Sequence, residues 1–285
     1  MNFRCIDSMK NDLTIIVNSC KSYSDVLEVF FMAWRKYNNN IQNRLIVCTE
    51  EINEKNQIQT NKFSRKRPKD DWGDRILKAV NAAETDFVLI TYDDFVLDEY
   101  ISEEGIAKAL ELLEMDPKAS VVYLIDAKLI IKQGDKVADQ LFVEIEDKAP
   151  YKLNSSPGIW RKSDFISFTK VGDTPWAWEA FGTYRTQDRD KRFFSVAPGR
   201  PPIYSYDNSQ GGAIYRGKWV KSFVVKFNKN FDNNVDWDER GYADSPNSTR
   251  RTLYWKLNFL IIGFRMVGFR SFKFIASEII RKIYG

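Results

Sequence analysis

The chain has 285 residues, 44% of them hydrophobic, enough to bury a substantial core in one large α/β domain or in one domain with an appendage. Its net charge of +4 is uneven: from Arg250 onward eight Lys or Arg stand against the single acid Glu278, and the preceding residues sum to −3, which argues against a nucleic-acid-binding body. Three cysteines without metal-type spacing, Cys5, Cys20 and Cys48, argue against a disulfide framework and for a reducing cytosol, with Cys20 and Cys48 filling space at strand ends.

No apolar run precedes residue 12, so no signal peptide is expected and the chain is expected to stay inside the cell. Leu13-Thr-Ile-Ile-Val17 is a β-branched run that reads as a buried first strand. Ser24 can cap a following helix, in which Val26, Leu27, Phe30, Phe31 and Trp34 share a face. Arg44 to Val47 gives a second strand ending at Thr49-Glu50-Glu51, and strand, helix, strand at this spacing implies parallel neighbours. Residues 53–71 are polar, basic and aperiodic, a mobile loop. A helix from Trp72 to Ala83 leads into the apolar strand Phe87-Val-Leu-Ile-Thr-Tyr92, and Ser102 caps another helix that Pro117 ends. Ser120 to Ile125 is the next strand. Ala127 to Lys132 and Gln140 to Ile145 flank Gln133-Gly-Asp-Lys136, which reads as a hairpin turn, so the sheet becomes mixed. Residues 150–219 are rich in Trp, Tyr, Pro and Gly, the texture of binding loops, and 250–284 reads as a helix with Phe272, Ile275, Ile279 and Ile283 on one face and Arg270, Lys273, Ser277 and Arg281 on the other.

The chemistry-bearing signal is the pair Asp93-Asp94 directly after an apolar strand. Open α/β sheets bind ligands at the carboxyl ends of their strands, and two carboxylates there can hold a divalent cation and a phosphorylated substrate; the bland alternative is a turn and helix-cap pair. The chain has no histidine, so proton transfer falls to Asp, Glu or a perturbed Lys, Tyr or Cys. Arg75, near the start of its helix, can present a fork of donors to a base or phosphate, or pair with Asp74 or Asp71.

Together Ile16-Val-Asn-Ser19, Trp72-Gly-Asp-Arg75, Tyr92-Asp-Asp-Phe95, Pro157-Gly-Ile-Trp-Arg-Lys162 and Pro175-Trp-Ala-Trp-Glu179 resemble bacterial glycosyltransferases of the GT-A fold that assemble lipopolysaccharide or capsular chains, over residues 12–220. The resemblance implies a GT-A-like α/β fold: a Rossmann-like mixed sheet flanked by helices in residues 1–249, with a nucleotide-binding half at 12–125, an acceptor half at 126–220 and a basic amphipathic tail at 250–285. It implies that Asn18, Ser19, Glu50 and Arg75 contact the nucleoside and that the acidic turn is a reduced DXD element, with Asp94 the metal ligand and Asp93 a ribose or sugar contact and second metal candidate. The donor would be a nucleotide sugar, UDP-linked by preference.

Sugar transfer leaves negative charge on a diphosphate, which Mg²⁺ or Mn²⁺ must stabilise, or else cations such as Arg216 and Lys218 in the glycine-rich stretch 210–219. Glu179 is the expected general base of a single inverting displacement, desolvated by Trp176 and Trp178, with Asp173 in reserve. Trp160, Trp176 and Trp178 are candidate platforms for acceptor sugar rings, although a Trp is more often core. The tail's longest uncharged run is too short to span a bilayer, and its basic helix suits either the anionic inner face of the cell membrane, carrying a glycan or lipid-linked acceptor, or packing on protein. A nucleotidyltransferase and a non-catalytic membrane-associated scaffold are the competing readings; Asn18-Ser-Cys-Lys-Ser22 lacks the glycines that the former normally places after its first strand.

Overall fold

In the computed structural model, which describes residues 13–38, 44–50, 72–127, 133–139, 141–187, 189–243, 252–274 and 276, the first strand, β1 (Leu13–Asn18), is buried along its whole length. That follows from its unbroken apolar and β-branched sequence, the signature of a strand covered on both faces. It pairs in parallel with β2 (Arg44–Cys48) and with β3 (Phe87–Tyr92). The intervening helices α1 (Ser24–Tyr37) and α2 (Trp72–Ala82) bury the stripes their spacing predicts. Ser24 is not the N-cap: a 3₁₀ turn over Lys21–Tyr23 runs straight into α1, so Tyr23 takes the cap position without a side-chain bond. The Ser102 hydroxyl does cap α3 (Glu103–Met115), accepting from Gly105 N at 3.1 Å, and β4 (Ala119–Tyr123) follows.

Beyond β4 the chain is more regular than its composition predicts. β5 (Gln133–Asp139) and β6 (Phe142–Ile145) form the expected hairpin, but the turn lies between Asp139 and Phe142, with Gln133-Gly-Asp-Lys136 inside a strand. The span expected to be loops contains β7 (Gly158–Arg161), α4 (Lys162–Phe168), α5 (Pro175–Ala180), β8 (Arg192–Val196) and the two-residue strands β9 (Ile214–Tyr215) and β10 (Lys218–Trp219). After these come α6 (Lys221–Asn230), α7 (Trp237–Arg240) and α8 (Leu253–Val267). The expected tail residues Ile275, Ser277, Ile279, Arg281 and Ile283, and the loop 53–71, lie outside the described residues.

Among the described residues eight strands form one sheet in the order β2-β1-β3-β7-β4-β8-β6-β5. Helices α1, α3 and α6 pack on one face, and α2, α4 and α5 on the other, each over its own buried cluster. This is the expected GT-A-like α/β architecture, a Rossmann-like mixed sheet flanked by helices. Its decisive irregularity is β7, which lies antiparallel between β3 and β4 and pairs Gly158 with both Ile90 and Tyr123. The chain entering β7 therefore lies at the rim where β3 and β4 end, which places residues 153–157 beside the Asp93-Asp94 turn.

Two motifs owe their form to packing. A Cβ on Gly73 would sit 2.1 Å from the Lys170 carbonyl oxygen, so only glycine lets the first turn of α2 close on the 170–173 loop, where Gly73 N donates to Asp173 O. In the Pro157–Lys162 motif, Arg161 and Lys162 donate to backbone carbonyls at the ends of α3 and α2, Arg161 Nη2 to Leu113 O and, at 3.2 Å, to Asp116 O, and Lys162 Nζ to Ala83 O at 2.5 Å. Both cations sit where orphan helix carbonyls need donors.

Candidate active site

The carboxyl ends of β1, β2 and β3 are in register, with Asn18 opposite both Cys48 and Tyr92. Ser19, Glu50 and Asp93 thus emerge side by side. Ser19 Oγ donates to Asp93 Oδ2 at 2.5 Å, and Asp93 N donates to Asn18 O at 3.1 Å, so the acidic turn is tied to the end of β1. Glu50 accepts from Lys21 N at 2.9 Å and from the Arg75 guanidinium. Asn18, Ser19, Glu50, Arg75 and Asp93 accordingly form one continuous rim. Two buried polar atoms there, Asn18 Oδ1 and Arg75 Nε, lack a hydrogen-bond partner, which is the condition of groups shaped for a polar ligand.

Both acids of the turn are held protonated more readily than usual. Burial and then the neighbouring Asp94 charge push Asp93 well up, with the Ser19 hydroxyl opposing; burial pushes Asp94 up to about 7. Asp94 faces the loop before β9. Ala213 N donates to Asp94 O at 2.7 Å, and a Cβ on Gly212, whose φ is +141°, would lie 2.9 Å from that oxygen and 3.1 Å from Asp94 Oδ2. The Gly211-Gly212 pair therefore lets backbone approach the carboxylate. Arg216 and Lys218, expected to close over a diphosphate, are exposed at the tip of the β9–β10 hairpin, where Arg216 is in the left-handed region at φ 52°.

Glu179 reaches the same rim from α5. Its Oε1 accepts from Ser155 N at 2.7 Å, and the Ser155 hydroxyl and the Tyr92 side chain lie nearby. Burial raises the Glu179 carboxyl above the ordinary range, against the opposing Ser155 bonds. Tyr206, whose ring packs on Phe95 at 4.6 Å, is felt electrostatically by both Asp94 and Glu179. Asp94 and Glu179 thus both lie within electrostatic reach of Tyr206 at the rim.

The remaining expected site residues fall elsewhere. Asp173 is buried and committed, accepting from Lys170 N at 2.8 Å and from both terminal nitrogens of Arg185, so it has no role as a reserve base. Trp160 and Trp178 are 1% and 2% exposed and pack against each other and against Phe165, so they are core and not sugar platforms. Trp176 is 56% exposed and remains at the surface of α5.

Three contributors had no sequence signal assigned to them. Ser155 and Tyr206 are reached only through the β7 insertion and the 204–213 loop. Arg240, at the end of α7, pairs with Asp25 through Nε at 2.7 Å, donates to Ser22 O at 2.6 Å and to Gly217 O at 3.0 Å, lies over the Tyr23 ring, and interacts with Asp93 through its charge. It ties the β9–β10 turn to the start of α1, along one side of the cleft.

For a divalent cation the described residues offer no cluster of three or more acidic, Cys or His ligands. Two adjacent carboxylates, one committed to Ser19 and one turned to a glycine-lined approach, fit a cation held by one side chain and otherwise by a substrate diphosphate. The fold and site thus define a GT-A-like α/β protein with acidic residues gathered at the carboxyl rim of its sheet. No protein-family profile matches the sequence, and no curated protein sequence does. Among solved structures the chain is similar to S. aureus TarS 1-349, at 14% identity over 91% of this chain and 82% of that one with a TM-score of 0.48. The same fragment in complex with UDP-GlcNAc gives 13%, the same coverage and 0.42. A cytidylyltransferase from Leptospira borgpetersenii gives 15% over 71% of this chain and 80% of that one, with 0.42.

Proposed function

We propose that this chain is a nucleotide-sugar-dependent glycosyltransferase that adds one sugar to a growing cell-surface glycan by a single, inverting displacement. The observation that carries the reading is the shared rim: Asp94 of the carboxylate pair at the strand ends, tied by its backbone to the 212–213 loop, and Glu179, held by Ser155 N, both lie within electrostatic reach of Tyr206.

The nucleotide half, residues 12–125, holds the donor. Arg75 and the unpartnered Asn18 Oδ1 face the nucleoside, with a uridine diphosphate favoured, and Glu50 orients the Arg75 fork. Asp94, with Asp93 behind it, would hold Mg²⁺ or Mn²⁺, which when bound offsets the charge developing on the diphosphate. Arg240 contributes positive charge on the Asp93 side and fixes the hairpin that borders the donor.

The acceptor half, residues 126–220, supplies the base. Glu179, oriented by Ser155 and kept in an apolar setting, takes the proton from an acceptor hydroxyl. That oxygen attacks the anomeric carbon as its bond to the β-phosphate oxygen breaks, the electron pair leaving on the nucleoside diphosphate. Trp176 offers the exposed indole for a sugar face.

The test is a panel of nucleotides and nucleotide sugars, with and without Mn²⁺, read by thermal shift and then by product analysis with a lipid-like glycan acceptor. Stabilisation by UDP or GDP with a cation, and sugar transfer to the acceptor, supports the reading. Stabilisation by nucleoside triphosphates with pyrophosphate release replaces it with nucleotidyl transfer, and stabilisation by neither replaces it with a non-catalytic scaffold.

A further inference from the structure

The helix α8 has two apolar sides. Phe259, Leu260, Ile262, Met266 and Val267 pack on Ala177, Ala180 and Phe181 of the body, and Gly263 lies so close that a Cβ would sit 2.5 Å from the Phe181 ring. This seam fixes the helix in place and answers the packing half of the tail expectation. The opposite side is not covered. Tyr254, Leu257, Ile261 and Phe264 recur at helical spacing and are exposed, Tyr254 at 75%. The patch continues past the helix: the Phe264 and Phe269 rings meet edge to face at 5.4 Å and those of Phe269 and Phe272 stack at 6.3 Å, with Phe269 80% exposed.

An exposed apolar stripe of six large side chains is unusual for a surface with no partner. Its charge identifies the partner. Between Thr252 and Ala276 there is no Asp or Glu, while Lys256, Arg265 and Lys273 are exposed. A second copy of the chain seated on this face by two-fold symmetry would bring these cations against their own equivalents. A zwitterionic or neutral protein surface would leave them uncompensated. An anionic bilayer surface accepts both halves of the pattern, apolar rings into the acyl boundary and cations among the headgroups. No helix among the described residues is long and apolar enough to cross a membrane, so the contact is in the plane of the surface.

We infer that the outward face of α8 and the turn after it, from Tyr254 to Phe272, is a docking surface for an anionic lipid bilayer. Of the face that the tail's sequence periodicity predicts only Phe272 is described, and it joins Phe269 and four residues of α8 in this patch. Because the inner side of the same helix packs on α5, which carries Glu179, docking holds the acceptor wall of the cleft next to the lipid surface; that consequence rests on the transferase reading, whereas the docking itself does not.

The test is flotation of the full chain with phosphatidylcholine vesicles and with vesicles containing about a third phosphatidylglycerol, at two salt concentrations. The expected result is binding to anionic vesicles at least 10-fold tighter than to neutral ones, weakened by salt. L257S/I261S/F264S, all at exposed positions, should lose at least 10-fold of it, and R265E/K273E should abolish the anionic preference, with both variants keeping the wild-type melting transition. Equal binding to both vesicle types, no binding to either, or full binding by the triple variant overturns the proposal. So does a wild-type dimer in gel filtration that the triple variant converts to monomer, which would assign the face to a second copy. Loss of sugar transfer with docking intact would count against the transferase reading alone.

Discussion

Replacing Asp94 with Asn should stabilise the protein, and by an amount that depends on pH. Burial moves this carboxyl from an ordinary 3.8 up to about 7, so between those values the folded chain binds a proton that the unfolded chain has released. The sign follows: with the folded-state affinity for the proton raised, the stability is whole below about pH 4 and declines as pH rises toward 7. At about 1.36 kcal/mol per pH unit the full span corresponds to roughly 4 kcal/mol. Asp94 is only half-buried and shares the turn with Asp93, so about 2 kcal/mol is the working figure for the charge itself. The variant also lifts from Asp93 the repulsion that is the second cause of its own shift. Asn preserves the shape beside Gly212 and leaves the Ala213 N to Asp94 O bond intact, since that bond uses backbone only. Urea unfolding of both proteins in chelator, from pH 4.5 to 8, should show the variant equal at the acid end and more stable by about 2 kcal/mol at pH 8. A stability difference that does not change with pH, or an Asn variant that is weaker at pH 8, would refute the account of the cleft as a place where carboxylate charge is costly.

Four further outcomes are expected. Glu179→Gln should leave nucleotide affinity unchanged in calorimetry while lowering turnover by ~100-fold or more, the scale of a lost general base. Gly73→Ala should destabilise by about 3 kcal/mol in urea titration, because its new methyl meets the Lys170 carbonyl and not a side chain that could move aside. Gly212→Ala strains the backbone at φ +141° and crowds Asp94, and should weaken nucleotide-sugar binding at least 10-fold in the same calorimetry while Gly199→Ala, in open space, does not. Arg240→Lys keeps the charge but loses the forked contacts to Asp25, Ser22 and Gly217, and should raise KM for the donor with a melting temperature lowered by several degrees.

What the sequence made legible was whatever depends on neighbours along the chain. The parallel β1, β2, β3 unit, the helices between them and the Ser102 cap follow from apolar runs, helical spacing and cap chemistry, and the position of Asp93-Asp94 at a strand end follows with them. The 158–161 strand was hidden because Gly-Ile-Trp-Arg is too short for a period and sits between prolines, glycines and tryptophans that resemble loop. Whether a tryptophan is core or surface depends on contact partners distant in sequence: Trp178 meets Trp72 at 5.6 Å, while Trp176, two positions earlier, is exposed. Asp173 was misread for the same reason, since its partner Arg185 lies beyond a helix and a turn. In the tail, spacing alone could show an apolar stripe but not that α8 spends one side on Phe181 and leaves another bare.

The absence of histidine gives these features a common cause. Under the proposed reading a site without histidine must take its proton with a carboxylate, and burial is what lifts Glu179 above its ordinary range. Burial alone would leave the glutamate badly oriented. The Ser155 backbone N–H, bonded to the carboxylate at 2.7 Å, and the nearby Ser155 hydroxyl oppose the rise and orient the carboxylate, and Tyr92, itself pushed up by burial and by the Glu179 charge, stays a neutral phenol beside them. The antiparallel β7 is what carries Ser155 to the rim, because a parallel strand at that place would deliver its leading residues to the other end of the sheet. A Ser155→Ala variant separates the two effects. With the nearby hydroxyl gone and the backbone N–H kept, the Glu179 carboxyl should rise further, so the acid limb of a turnover-pH profile should move to higher pH while donor affinity holds. An acid limb that stays in place, or moves down, would mean that Glu179 is not the group whose ionisation the reaction requires.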